Sequence, residues 1–555
     1  MKNKLAVLGF CIFGLAAQAQ IKVGLESNSQ WYIDDKKIKL GEQEAEERFR
    51  SNSYLKLDYD YKNWTFGAQL EGYMPKAILN YSPDYDKVDL GNVFARYNNV
   101  EQGIDVTAGH FYEQYGSGML FRAWEDRQIG INNAIFGINA KFAPSKYIQF
   151  GGFAGKQRVG MGFDLSKAII FGSNVEVSIS ELARVSAFDL NLGLSYVGKV
   201  EDHFDYPEEY NQDLNKLQNA FSTRLDLEYG NFHAELEYVI KQRDALVESS
   251  TVLGYNRQEG NAALINLGYS KKGMGLNVSL RRVENMAFYS ERGLTGNIYN
   301  QGILNYVPAL TKQYDYSLQN IYVYQSQYLL NLYSLEPKLG EIGGQFDFYY
   351  NFEKGTLLGG EYGTNLVLNG SYWAGLKAEV IDEGEALKTD FLDFGDKYYH
   401  DLGVEVRKKW SPSWSSMFMY LNQYYNSAFI EQKVDIVKSH IVSAETTYQF
   451  MDNKSIRLEA QHLWADKEKK NWVAGTVEFA FNSNWSVFGS DMYNYGNDDS
   501  EKRIHYYNAG ISFTKGTTRV ATSYGRQRGG LLCVGGVCRM VSEAAGLTVG
   551  ISTSF

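Results

Sequence analysis

The chain is 555 residues long, carries a formal net charge of −10, and is 15% aromatic, with 42 tyrosines and 54 glycines against only 7 prolines. The acidic balance argues against a nucleic-acid partner and offers no basic patch for a membrane surface. Beyond the N terminus no stretch offers the roughly 18 consecutive apolar residues of a transmembrane helix, and no Pro/Ser-rich linker or break in composition divides the chain into soluble domains.

At the N terminus, Lys2 and Lys4 precede an apolar core over residues 5–17, and Ala17-Gln18-Ala19 has the small-x-small form of a processing site. Residues 1–19 are therefore expected to be a secretory signal, with the mature chain, a single domain, starting at Gln20. Cys11 lies inside the apolar core behind Phe10, the wrong place for a lipidated cysteine.

From there one unit repeats: alternating strand, tight turn, alternating strand, longer polar loop. Over residues 53–74, Leu55, Leu57, Tyr59 and Tyr61 share one face, with Lys56, Asp58 and Asp60 opposite. After a Lys62-Asn63 turn, Trp64, Phe66, Ala68 and Leu70 return against Thr65, Gly67, Gln69 and Glu71. The same pattern brackets the Gly230-Asn231 turn and recurs over 264–282, 402–421, 456–481 and 507–524. Charges at every second position are costly if both faces are dry. One such hairpin fits a soluble sandwich equally well. The number of hairpins, the absence of a helical layer and the aromatic strand ends point instead to an all-β fold, a transmembrane antiparallel β-barrel of about 24 strands, give or take two to four. Short turns then lie on the periplasmic side and long loops face outward.

A barrel that wide needs filling, and two stretches are long enough to fold inward or to stand as extracellular loops: 112–133 and 286–344. Within the second, residues 314–325 are a candidate extra hairpin. The first holds the densest constellation in the chain, Glu113, Arg122, Glu125, Asp126 and Arg127, beside His110 and among the glycines 109, 116, 118 and 130. Its plainer reading is a lumenal salt-bridge network pinning the segment to the wall. Its sharper reading is a constriction selecting solutes by charge. Acid–base catalysis by carboxylates near His110 lacks any nucleophile–base–orienter spacing.

Further on, the acidic stretches 201–205, 208–209 and 497–499 lack the ordered spacing of a calcium loop and read as solvated surface. Cys533 and Cys538 bracket a Gly535-Gly536 turn that would face them across a hairpin, and a disulfide is expected there in an oxidising compartment. Arg526, Arg528 and Arg539 beside it are either a binding patch or lumenal and rim charge. The chain ends on an alternating strand, with Leu547, Val549, Ile551 and Phe555 on one face. It resembles the C-terminal strand that barrel-assembly machinery recognises. No histidine spacing, phosphate loop or nucleophile motif suggests a metal, a cofactor or a catalytic residue.

Residues 109–133, the stretch 305–311 with 320–325, and 524–530 with 533–539 together resemble a family of Bacteroidota outer-membrane barrels without assigned function. The resemblance implies the fold and the outer membrane of a Gram-negative cell, and brings no reaction with it. Three functions remain open. A channel or solute-binding pore stands slightly ahead of a non-transport barrel serving as scaffold or subunit of a lipoprotein, assembly or secretion complex; an outer-membrane hydrolase comes last. Expected partners are outer-membrane lipids and lipopolysaccharide, the assembly machinery during biogenesis, and other outer-membrane proteins or lipoproteins.

Overall fold

The computed structural model describes residues 20–38, 48–78, 85–202, 215–244, 247–248, 251–252, 259–294, 297, 300–328, 338, 340–382, 386–433 and 435–555. The expected signal segment 1–19 lies outside them, as do residues 203–205 and 208–209 of the acidic stretches.

Twenty-four strands form one antiparallel sheet in which each pairs with its neighbours in sequence. The first strand, Gln20–Tyr32, pairs with the last, Ala544–Ser554, from Gly24↔Ser554 to Tyr32↔Gly546, which closes the sheet into a barrel. The expected strand number and class are thus met. An even number is what lets an antiparallel meander close on itself.

The two faces differ as the alternation dictates. On the strand Trp64–Tyr73, Phe66 and Leu70 are 44% and 41% exposed, whereas Gln69 and Glu71 are 4% and 1% exposed. Apolar side chains face outward and polar ones inward, the pattern of a membrane-spanning barrel. At the turn end, Trp410 stacks on Trp414, Trp64 on Phe66, and Trp485 packs against Phe513, forming an interfacial aromatic belt.

Tight turns at Lys62 (φ 53°) and Gly230 (φ 59°) lie at the end where Gln20 and Phe555 also meet. Most long connections lie at the other end, although the turn end also carries the connections 179–188 and 353–363. Two strands, Thr364–Asp382 and Ala386–Ser411, outrun their neighbours: pairing to the flanking strands stops at Ala374 and Tyr399, and the pair continues beyond with several register shifts.

Inside, residues 112–133 fold against the wall as two small hairpins, Gln114–Tyr115 with Phe121–Arg122 and Glu125–Asp126 with Ile131–Asn132. The described residues of 286–328 also turn inward. Residues 314–325 do not make a hairpin: Ser317–Asn320 is one 3-10 turn. Wall side chains take its backbone groups, as where the Leu318 amide donates to Gln461 Oε1 at 3.0 Å, so no partner strand is needed. The wall resumes with the strand Gly340–Phe352, so residues 340–344 belong to it rather than to the inward stretch.

Candidate functional site: the filled lumen

The inward rows of the strands change character along the barrel axis. On Phe232–Lys241 the inward positions run His233, Glu235, Glu237, Val239, Lys241, so an apolar layer at Val239 separates charge near the turn end from one buried lysine near the loops. Val239, Val197, Ala220, Ala262 and Val283 are all fully or almost fully buried. Against them pack Tyr115, Met119, Leu120 and Phe121 of the first inward segment, with Phe288, Leu304 and Val307 of the second. The opposite half of the lumen has its own core, where Leu318, Ile321, Tyr322 and Tyr324 pack on wall residues Trp373, Tyr399, Leu421, Ile441 and Leu463. Leu310 packs against both cores, and its carbonyl accepts from Trp373 Nε1 at 3.1 Å. Apolar packing therefore spans the lumen from wall to wall on the loop side.

Close approach requires glycine at two points. Gly116 (φ +54°) lies where a Cβ would collide with Arg224 and Glu237 of the wall, and the next amide, Ser117, donates to Glu237 Oε2 at 3.0 Å. Gly536 (φ +80°) lies against Ala309, whose amide donates to its carbonyl at 2.8 Å. Gly536 tops the hairpin Gly530–Val534/Val537–Val541, whose Cys533 and Cys538 form a disulfide. That hairpin locks onto the inward segments: Arg539 Nη1 donates to the Ile129 carbonyl at 2.6 Å, and the Tyr306 hydroxyl to that of Gly535. Arg528 donates to the Asn320 carbonyl at 2.9 Å, and Arg526 pairs with Asp35 at 2.7 Å. These three arginines serve as ties rather than as an open patch.

Of the sequence constellation, Glu125 and Arg127 come together. Arg127 bridges Glu125 at 3.1 Å and wall residue Glu26 at 2.7 Å, donates to Gln69, and lies 4.2 Å over the Tyr54 ring. Glu113 sits apart, against Lys141 at 2.7 Å and Asn139 at 2.9 Å. Asp126 accepts from the amides of Gln128 and Ile129, closing its own turn. Arg122 stacks between the rings of Tyr306 and Trp124, at 4.0 and 4.9 Å. The nearby Tyr112 hydroxyl donates to Asn132 Oδ1 at 3.1 Å and accepts from Asn92 at 2.6 Å.

The stronger anchors lay outside that constellation. Arg158 and Glu71, both 1% exposed, form a two-pronged pair at 2.8 and 2.5 Å. Glu341, on the wall, accepts from Arg281 at 2.5 Å, from the Tyr324 hydroxyl at 2.6 Å and from the Gln327 amide at 2.6 Å. Beneath the loops, Lys199 pairs with Asp244 (2.8 Å) and Glu201 (3.3 Å), and Arg292 with the same two carboxylates (2.7 and 3.2 Å). Glu201 is thus buried rather than solvated surface. Burial alone would raise the Asp244 carboxyl, but Lys199, Arg292 and Lys241 around it hold it below the usual carboxylate range.

Among the described residues, cavities lined in part by charged side chains lie on the turn side. One of about 380 Å³ is lined by Lys56, Arg96, Asp105, Thr107, Arg127 and Lys141; one of about 500 Å³ by Asp315, Tyr316, Arg407, Lys409, Ser415 and Glu445. At the closing seam Phe555 exchanges backbone hydrogen bonds with Val23, at 2.8 and 3.1 Å, while its ring stays 79% exposed.

The model of a family of unknown function, DUF6029, matches residues 1–555. The chain belongs to that family. No curated protein matches this DUF6029 chain. Among solved structures it is similar to the P pilus usher PapC translocation pore, at 8% identity and a TM-score of 0.45, over 96% of this chain and 99% of that one. It is also similar to the siderophore receptor PirA of Pseudomonas aeruginosa, at 9% and 0.39 over 97% and 80%. For OpdK of the same organism the values are 9% and 0.37 over 80% and 99%. At these values no property of those proteins is carried across.

Proposed function

We propose that this is an outer-membrane β-barrel of a Gram-negative cell, turns toward the periplasm and loops outward, that acts without transporting a solute, as a scaffold or subunit of a larger outer-membrane assembly. The observation that carries this reading is the apolar packing across the lumen, joined at Leu310. Leu120, Phe121, Leu304 and Leu318 are fully buried. Exposing four such side chains costs about 6–12 kcal/mol, so a spontaneously wetted lumen is populated at less than about one part in 10⁴. The sequence alone had put a channel first, because a wide barrel is hard to leave empty. The fill favours the alternative. The turn-side cavities then serve as a periplasm-facing vestibule, and Phe555 as the handle for the assembly machinery.

The test is conductance in a planar bilayer. The mature protein is expected to be silent, while a variant with residues 115–124 replaced by a Gly-Ser linker conducts. Large, steady steps from the unaltered protein would sink the scaffold reading and restore the pore.

A further inference from the structure

On its outer face, at the loop end, the barrel carries a cluster of aromatic and cationic side chains. Tyr372, His400 and Tyr424 lie side by side on three adjacent strands, Tyr372↔His400 and His400↔Tyr424 being register partners, and all three face outward with Leu402 and Val404 below. The His400 ring stacks on Tyr424 at 5.5 Å. Lys397 places its ammonium 3.9 Å over the Tyr424 ring and 5.9 Å over Tyr372. Lys438 is the register partner of Tyr424 on its other side and is exposed. Among the described residues neither ammonium is ion-paired to a carboxylate, although Asp396 is close by and the Asp466 carboxylate accepts from the Lys438 backbone amide at 2.8 Å. Phe394 packs edge-on against Tyr372 at 5.9 Å and is 52% exposed. Next to it the register slips, so that four residues, 390–393, oppose one on the partner strand, and Leu392 in that bulge is 74% exposed.

Lys397, held on Tyr424, and Lys438, the register partner of that tyrosine, lie beside projecting apolar side chains and together meet the two halves of a lipid at once. The ammoniums and the imidazole suit a phosphate; the apolar side chains suit acyl chains at the interface. A soluble anion would gain nothing from Phe394 or Leu392, and the patch is continuous with the lipid-facing wall. We infer that Lys397, Lys438 and His400, with Tyr424 between them, form a binding site for the phosphorylated headgroup of an outer-leaflet lipid. The inference rests on the outer-membrane orientation proposed above.

The experiment uses the purified mature protein in detergent, mixed with a diphosphorylated glycolipid in a phosphatidylcholine background, and reads retained glycolipid by native mass spectrometry. The protein is expected to retain the glycolipid against millimolar inorganic phosphate. The double variant Lys397→Gln/Lys438→Gln should weaken retention roughly thirtyfold, and Lys397→Arg/Lys438→Arg should restore it, which separates charge from folding damage. Equal retention by the protein and the Gln variant would overturn the site, and so would full displacement by inorganic phosphate, which marks a phosphate-only site. So would a co-purifying protein that occupies the patch in place of lipid. Fractionation of the cell envelope is scored separately: a chain absent from the outer membrane defeats the orientation, while the retention assay still reads the site itself.

Discussion

Glu71 and Arg158 together decide whether the loop beyond the strand Ile148–Gln157 stays tied to the wall. A buried pair adds little net stability, because both ions lose water; breaking one half strands the other charge and costs about 3–5 kcal/mol. Glu71→Gln should therefore lower the denaturation midpoint markedly, whereas the joint change Glu71→Leu/Arg158→Met should recover most of the loss; if both variants fall equally, the pair is not the cause. Asp244 sets a pH dependence. Its folded carboxyl titrates below the unfolded value of about 3.9, so its contribution is complete above that value and is lost as pH falls through the lower folded one. Exchange protection of residues 286–292 should persist at pH 4 and fail only in stronger acid. Asp244→Asn should expose Arg292 to trypsin near neutral pH, where the unaltered chain, with Arg292 2% exposed, resists. Cleavage of both alike would remove Asp244 from its anchoring role. Glu71 was legible as an inward residue from alternation alone, but its partner was not: 87 residues of path separate the two, and nothing local in a strand names a loop arginine. Conversely, Arg122 and Arg127 read as neighbours because they are close in sequence, while the two small hairpins send one to aromatic rings and the other to Glu26 and Glu125.

At the scale of elements, the hairpin 530–541 is a clasp laid over the inward segments. Its disulfide closes a very short loop, so the chain-entropy account gives it about 2 kcal/mol at most. Cys533→Ser/Cys538→Ser should leave the barrel folded, with its stability nearly unchanged, yet raise hydrogen exchange at Ala309 and Gly536, whose hydrogen bond holds the clasp to the fill. Unchanged exchange there would mean that the arginine ties suffice by themselves. The clasp was readable because Gly535-Gly536 sits midway between the cysteines. The 3-10 turn Ser317–Asn320 was not, since its form is set by wall groups such as Gln461 and Ser443 that come from far along the chain.

For the molecule as a whole, strand number and face were legible because period-two alternation is written into every strand and the turns are short. The state of the lumen was not, because filling depends on which loops bend inward, and a Tyr- and Asn-rich stretch is as compatible with water as with a wall. The inward rows held a partial clue: their outer-half positions, Val197, Ala220, Val239 and Ala262, are small and apolar, a poor lining for an aqueous path.

The seam between Gln20–Tyr32 and Ala544–Ser554 sets the order of events in manufacture. The sheet's first and last strands are each other's neighbours, so a chain can pair every hairpin and still have two bare edges until its final strand is in place. Such edges recruit any extended chain they meet. A prematurely terminated copy lacking only the last strand would be nearly complete in composition and yet unclosable, a substrate for quality-control proteases rather than a weakened version of the finished barrel.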